Sequence, residues 1–358
     1  MQQSEIETKP ETLNPEAEDP ESIDAVIMWV DGNDPAHLEK RNSYAQSEIH
    51  APNRLLTGGD KTRFVENGEL FYCIKSIRKF APWMRTIFLV TDNQRPAFAT
   101  DEWLQLHGVQ LVDHKDIFVG FEQYLPTFNT RTIESMLWRI PGLAPQFVYF
   151  NDDFLIVRAV KPQDFFVDSA VVLRGSWEKQ VRYSRLRIKF NNFVSKAARK
   201  LFGITRSMHL LLQIKSARKA AFLKQYYRAP HVPHPVNRQT LASWFEAYPE
   251  ELERNISWRF RNMKQFSAIF LANHLEISAG NVRFADEDDH LMINGETDIS
   301  LTFTKKLSRI VQGEVRFACI QAMEKLSPAN RAELEIVLNQ LTGASAQQSY
   351  ILRAHDVV

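Results

Sequence analysis

The chain has 358 residues, 44% of them hydrophobic, enough for one large domain or two ordinary ones with a sizeable core. Its 44 Lys and Arg against 43 Asp and Glu leave a formal net charge of +1, so the chain as a whole is not tuned to polyanions. Two cysteines, Cys73 and Cys319, each inside an apolar segment, form neither a disulfide framework nor a metal-ligand spacing and suit a reducing compartment, and no apolar run approaches the roughly 18 residues of a spanning helix.

In chain order, residues 1–22 are acidic, proline-bearing and nearly devoid of large apolar side chains, the composition of a disordered leader. Residues 23–30 of "IDAVIMWVDGNDP" read as a buried strand stopped by turn residues. A polar loop follows over 53–69. Then "ELFYCIKSIRKFAP" carries Leu70, Ile74, Ile77 and Phe80 or Ala81 at helical spacing, with Pro82 closing the helix. "TIFLVTDNQRP" and "GVQLVDHKD" read as two further strands. "NTRTIESMLWRIPG" reads as a helix capped by Asn129 or Thr130, and "QFVYFNDD" as the next strand. Strands alternating with helices predict an α/β fold with a doubly wound, mostly parallel nucleotide-binding sheet over 23–173.

From Arg174 to Arg228 the composition changes: fifteen Lys and Arg stand against one acid, Glu178, with apolar residues interleaved. This segment, 174–228, is expected to be an inserted pair of basic amphipathic helices. A second part over 229–358 completes the same domain. It begins with "APHVPHPVNRQTL" and a helix through Phe245. The helix "MKQFSAIFLANHLEI", a strand near "VRFACI" and a final helix from about Pro328 follow.

Four predicted strands end in carboxylates: Asp31, Asp92, Asp113, and the doublet Asp152 and Asp153. In an open α/β sheet the carboxyl ends of parallel strands share one edge, and ligands bind in the crevice there. Acids clustered at that edge repel one another and raise their own pKa values unless a cation neutralises them. Mg²⁺ or Mn²⁺ carried on a nucleotide diphosphate suits such a site, because hard cations prefer carboxylate and phosphate oxygen. Asp is equally a common turn residue after a strand, and any single one of these needs no ligand.

The blocks "IDAVIMWVDGNDP", "GELFYCIKSIRKFAPWMRTIFLVTDNQRP", "LPTFNTRTIESMLWRIPGLAPQFVYFNDD" and "PHVPHPVNR…YPEEL…FRNMKQF" resemble, in order and spacing, those of the Stealth proteins. These are sugar-1-phosphate transferases that build phosphodiester-linked bacterial capsules, and they include the catalytic subunit of animal N-acetylglucosamine-1-phosphotransferase. The resemblance covers residues 23–160 and 229–270. It implies transfer of a hexose-1-phosphate or N-acetylhexosamine-1-phosphate from a UDP-sugar to a sugar hydroxyl, with release of UMP and a divalent cation. It also implies an oligosaccharide or polyanionic glycan acceptor and a place in the cytoplasm or on the inner face of the plasma membrane. Carried over position by position, it implies catalytic roles for Asp24, Asp152, Asp153, His231 and Arg261. Donor-binding roles fall on Trp29, Asp31, Gly32, Arg63, Glu69, Asn129, Glu134, Asn151 and Arg238, and metal binding on Asp152 and Asp153. The chain departs from the pattern at Gly68, at "NMKQ" after Arg261, and at Gln321 and Ala322, where Asn-Asp is common; this questions any role of the fourth block.

The implied chemistry needs charge neutralisation on the diphosphate, an in-line acceptor hydroxyl and a group to take its proton. Arg261 or Arg63 can supply planar donors to phosphate, and His231, stiffened by neighbouring prolines, has a suitable pKa range. Each has a plainer role: His231 and His234 as loop residues bonding backbone, Arg261 as a surface partner of Glu250 or Glu251, Trp29 as core, His290 in a solvated acidic loop. Asp24, at the start of its strand, lies far from the carboxyl edge and has only the resemblance behind it. Two other functions stay open, an ordinary glycosyltransferase that releases UDP and a non-catalytic binding subunit.

The basic segment fits a solvated helical face, docking on an anionic membrane leaflet, or a grip on a polyanionic glycan; the acidic strand ends oppose nucleic acid. Under the second and third readings, charge reversal at Arg185, Arg187 and Lys189 is expected to weaken vesicle binding or long-acceptor use in a salt-dependent way. Unchanged behaviour in both assays returns the segment to a solvated face.

Overall fold

The computed structural model describes residues 22–47, 68–180, 206–285 and 288–344. Three apolar runs, too hydrophobic for either face to meet water, become β1 (Ile23–Met28), β2 (Ile87–Thr91) and β4 (Gln146–Asn151), and a fourth, β3 (Val109–Asp113), joins them in parallel as a partly exposed edge strand. After these come β5 (Phe154–Ile156), β6 (Phe166–Val167), β7 (Ala170–Leu173), β8 (Ser176–Lys179), β9 (Gln225–Arg228) and β10 (His234–Asn237). The last strands are β11 (Val282–Phe284), β12 (His290–Asn294) and β13 (Phe317–Gln321). The main sheet has the order β10-β4-β1-β2-β3, with β10 antiparallel to β4 and the other pairs parallel.

Strand alternation sends side chains to both faces. On one, Ala25, Ile27, Leu89, Val148 and Phe150 pack with Leu70, Cys73, Ile74 and Ile77 of the helix Glu69–Phe80. On the other, Val26, Met28, Phe88, Val90 and Phe147 pack with Leu241 and Phe245 of the helix Arg238–Ala247 and Ala268, Ile269 and Ala272 of the helix Ala268–Ala279. This is the doubly wound α/β arrangement expected. A three-stranded sheet, β12-β13-β5, extends the fold beyond the doublet, and Phe71 and Tyr72 of the helix Glu69–Phe80 reach into its core.

The basic segment differs from the expected helix pair. Its ends, β8 and β9, form an antiparallel ribbon, and the described helix runs Arg206–Lys219; the expected first helix lies in 181–205, outside the described residues. The helix expected over 129–141 also breaks, into Thr130–Glu134 and a short 3-10 turn, Leu137–Arg139. There the Ser135 hydroxyl donates to the Arg131 carbonyl at 2.9 Å, a local bond that competes with the helical ladder. The leader and Arg63 lie outside the described residues.

Asp24 opens β1 at the edge opposite the strand-end acids. It is fully buried, takes two bonds from the Arg85 guanidinium (2.9 and 2.6 Å), and accepts from the backbone N–H of Thr86 and Ala144 at 3.0 and 2.8 Å. The carboxylate thus ties β1 to the segments that lead into β2 and β4, which corrects the catalytic role implied for it. Asp24→Ala strands those donors and is expected to cost about 3–5 kcal/mol, the usual penalty for breaking a buried pair, measured by urea unfolding. A loss below about 1 kcal/mol would remove the anchoring role.

Candidate active site

Chain order in the main sheet reverses between β1 and β4, which are hydrogen-bonded neighbours with Met28 opposite Asn151. The loops leaving their carboxyl ends diverge there, opening a crevice of the kind in which open α/β sheets take ligands. One loop is "WVDG", the other "NDD". Gln94, from the loop after β2, braces the first: its side-chain amide accepts from Asp31 N–H and donates to Asp31 O, both at 2.9 Å. Asp31 Oδ1 accepts from Asn33 N–H at 2.8 Å, leaving this turn half-exposed with Gly32 buried behind it.

The second loop is braced from three sides. The Tyr149 hydroxyl donates to Asn151 Oδ1 at 2.5 Å, and Cys73 Sγ donates to Asn151 O at 3.7 Å. Asp153 O accepts Ile320 N–H at 2.9 Å, bringing the end of β13 against the turn. There Gln321 Nε2 (3.1 Å) and Cys319 Sγ (3.5 Å) both donate to Asp153 Oδ2. Asp153 Oδ1 is buried and has no hydrogen-bond partner among the described residues. Burial pushes the Asp153 carboxyl up to about 6 against the pull of the Gln321 and Cys319 bonds. Gln321, whose departure from the fourth block put that block in doubt, thus serves the doublet directly.

Glu134 stands nearby, at the end of Thr130–Glu134. Burial pushes it up to about 7, opposed by the Ser267 hydroxyl donating at 2.6 Å and by the Arg131 charge. The buried Tyr149 phenol is raised well above its ordinary value by desolvation, then by Glu134, Asp153 and Asp152, so these three acids lie within electrostatic reach of one hydroxyl. Arg261 Nη2 donates to Thr130 Oγ1 at 2.9 Å. The Glu251 carboxylate, once its candidate partner, instead pairs with Lys219 and Arg254.

His231 lies in the loop between β9 and β10, its ring edge-on to Phe154 at 6.4 Å, one residue past Asp153. It is half-buried, and burial followed by the Arg228 charge lowers its pKa. His234 is sealed at 5% exposure and lowered to about 3 by desolvation, with His231 and Arg174 adding to the shift.

Other expected site residues lie elsewhere. Asp92 binds His37 Nδ1 (3.0 Å) and Lys40 Nζ (2.8 Å); burial opposes its ionisation, but those bonds hold its pKa well below the usual range. Asp113 caps the short helix His114–Ile117. The strand-end acids therefore share an edge without converging, and among the described residues no group of three or more His, Cys, Asp or Glu is placed to hold one metal ion. Trp29 is core, 6% exposed. Asn129 caps its helix and donates to Trp258 O and Gln265 Oε1 in a buried network. Arg238 clamps the carbonyls of Trp138 and Leu143 beside the amino end of β4, across the sheet from the doublet. Of these five side-chain placements, those of Asp92 and Asp113 correct the clustering expectation and those of Trp29, Asn129 and Arg238 the donor-binding one. Glu69 starts its helix, half-buried.

A carboxyl whose pKa is raised by folding binds its proton more tightly in the native state. Its ionisation therefore costs stability as pH rises from the ordinary value of 3.8 through about 6. Without added metal or nucleotide, Asp153→Asn is expected to have a higher urea midpoint than the parent at pH 8, the gap closing below about pH 4. Equal midpoints at pH 8 would mean that Asp153 is not desolvated.

Comparison with known proteins bears on the same loops. Residues 21–48 match Stealth protein conserved region 1 and residues 63–173 match conserved region 2. An exopolysaccharide phosphotransferase of Streptomyces coelicolor is 35% identical over 266 residues, 73% of this chain and 44% of that protein. A capsular polysaccharide phosphotransferase of Actinobacillus suis is 38% identical over 163 residues, 46% of this chain and 42% of that protein. The chain thus spans less than half the length of these two relatives. The receptor polysaccharide phosphotransferase WefC of Streptococcus oralis is 29% identical over 273 residues, 72% of this chain and 79% of that protein. Among solved structures, the galactosyltransferase LgtC with donor and acceptor sugar analogues aligns at TM-score 0.40 and 12% identity, over 90% of this chain and 96% of that one, a likeness that carries no argument. The two regional matches thus put Stealth conserved regions 1 and 2, in that order, on the strands that frame the crevice.

Proposed function

We propose that the chain transfers a hexose-1-phosphate or N-acetylhexosamine-1-phosphate from a UDP-sugar to a sugar hydroxyl, releasing UMP, in the synthesis of capsular or extracellular polysaccharide. The names of the relatives support sugar-phosphate chemistry in polysaccharide assembly. The observation that carries the reading is Asp153 Oδ1, a buried, unpartnered carboxylate oxygen at the crevice between β1 and β4. Such an oxygen is costly unless something positive meets it.

A phosphate-bound Mg²⁺ or Mn²⁺ fits that oxygen. Asp153, with Asp152 beside it, would hold the ion, which draws its other ligands from phosphate and water, as Mg²⁺ commonly does with one or two protein carboxylates. When bound, the ion would neutralise charge on the diphosphate. The chain's own residues supply the rest. Gln321 and Cys319 hold Oδ2, so that Oδ1 keeps its orientation. The Asp31–Gly32 turn closes the other side of the crevice. Arg261 offers planar donors to phosphate oxygens. His231, kept neutral by burial, takes the proton of the acceptor hydroxyl at a ring nitrogen. The hydroxyl oxygen bonds to the sugar-bearing phosphorus, the bond from that phosphorus to the bridging oxygen breaks, and UMP leaves with that oxygen.

Incubation of the full chain with a panel of UDP-hexoses and UDP-N-acetylhexosamines, Mg²⁺ and oligosaccharide acceptors is expected to release UMP, with Asp153→Asn lowering turnover at least about 100-fold while staying folded. Release of UDP instead would establish an ordinary glycosyltransferase. Nucleotide-sugar binding without turnover would establish a non-catalytic member.

A further inference from the structure

His231 does not stand alone in its loop. The ring of His209, on the helix Arg206–Lys219, stacks on it with centroids 4.3 Å apart and planes 23° from parallel. Phe270 meets the His209 ring edge-on at 5.2 Å, so the plate is itself held from the side. No feature of the sequence marks His209: it lies within the basic segment, 22 positions before His231, and outside every block of the Stealth resemblance.

Its protonation state follows from its neighbours. Gln213, one turn further along the helix, is fully buried. Its Oε1 accepts the backbone N–H of Ala229 at 2.8 Å, and its Nε2 donates to Ala229 O at 2.9 Å. Since a backbone N–H can only donate, the amide orientation is forced. The second Nε2 hydrogen then points at His209 Nε2, 2.7 Å away, which must accept and cannot carry a proton. His209 is therefore neutral with its hydrogen on Nδ1. Protonation at Nε2 would set two N–H groups against each other and break the clamp on Ala229, two residues before His231. The cationic surroundings act in the same direction. Arg228 of β9, paired with Glu178, and His234 of β10 face this pair, with Arg174, paired with Asp289, behind His234. The Ala229 carbonyl, which also reaches His209, opposes the shift without reversing it, and the remaining neighbours, Phe154 and Phe270, are apolar.

We propose that His209 is a positioning residue for His231: locked as its Nδ1–H tautomer by Gln213, it forms an uncharged plate that fixes the plane of the His231 ring for proton transfer. The inference rests on His231 as the proton acceptor of the proposed reaction. A charged ring at 4.3 Å would oppose the imidazolium that forms when His231 takes the proton, whereas a neutral one supports the ring through the catalytic cycle. The clamp on Ala229 makes the same helix responsible for both the ring's plane and the backbone that carries it.

Long-range ¹H–¹⁵N spectra of the full chain, uniformly labelled, read the tautomer directly, and His209 is expected to show a protonated Nδ1 and a bare Nε2. In the UMP-release assay His209→Ala is expected to lower kcat about tenfold with KM within about twofold. Its acid limb is expected to move to higher pH, because water reaching His231 relieves the desolvation that lowers its pKa. His209→Phe, which keeps a flat ring, is expected to restore most of the lost kcat. A bare Nδ1 on His209, or parental kcat and pH profile in His209→Ala, overturns the proposal even if that variant alone is unstable, since the spectra are taken on the parent. Parental turnover in His231→Ala would overturn the base assignment and the proposal together. An inactive His231→Ala beside a parental His209→Ala would overturn the proposal alone.

Discussion

The reversal of chain order between β1 and β4 is the constraint from which the rest of the site follows. Parallel strands that continue in one direction bury the loops between them, whereas neighbours whose connections run to opposite sides leave their carboxyl ends facing an open crevice. Here those ends carry "WVDG" and "NDD", with Met28 beside Asn151. The helix Glu69–Phe80 runs beneath both and carries Cys73, which bonds the carbonyl of Asn151. Beyond the turn the chain folds back as β5 against β13, and that pairing delivers Gln321 and Cys319 to one oxygen of Asp153. The second, smaller sheet is thus the support of the doublet.

Carboxylates in this molecule separate by what folding does to them. Asp24 and Asp92 are met by a guanidinium and by a histidine and a lysine, and they hold the chain together, while Asp113 caps a helix through Oδ1 and keeps Oδ2 buried without a hydrogen-bond partner among the described residues. Asp153 and Glu134 are dried, Asp153 with Oδ1 unpartnered, and burial raises their pKa values to about 6 and about 7. Paired buried acids stabilise a fold, while desolvated acids with spare acceptor capacity cost stability and are found where a ligand completes them. Of the acids at the four strand ends, the one that burial raises is Asp153, at the crevice between β1 and β4.

The wall opposite the doublet is built by β10 and its approach. Because β10 runs antiparallel on β4, with His234 opposite Tyr149, the loop before it turns over Phe154 and carries His231 with it. Of the two histidines in "PHVPH", His234 is sealed between Tyr149, Phe154 and Phe270, while His231 keeps access to the outside of the sheet. The helix Arg206–Lys219 finishes the wall from within the basic segment: Ser216 bonds Ser267, the residue whose hydroxyl reaches Glu134, so one helix touches both sides of the site.

The near-continuous apolar runs along 23–28, 87–91 and 146–151 were enough to determine strands, and their interleaving with the helix over 69–80 was enough to determine a parallel α/β sheet. Burial of short apolar runs on both faces has few other solutions. Asp152 and Asp153 were legible as chemical candidates for the same local reason, two charges ending an apolar run. What each carboxylate does was not legible, because it depends on partners distant in the chain: Arg85 for Asp24, Lys40 for Asp92, Gln321 for Asp153. Composition alone turned 174–228 into two amphipathic helices, whereas pairing between β8 and β9 across the segment made a ribbon of its ends. His209 shows the limit most plainly. Its ring matters only because a buried amide fixes its proton and a loop from another strand lays His231 upon it, and no local pattern records such a meeting.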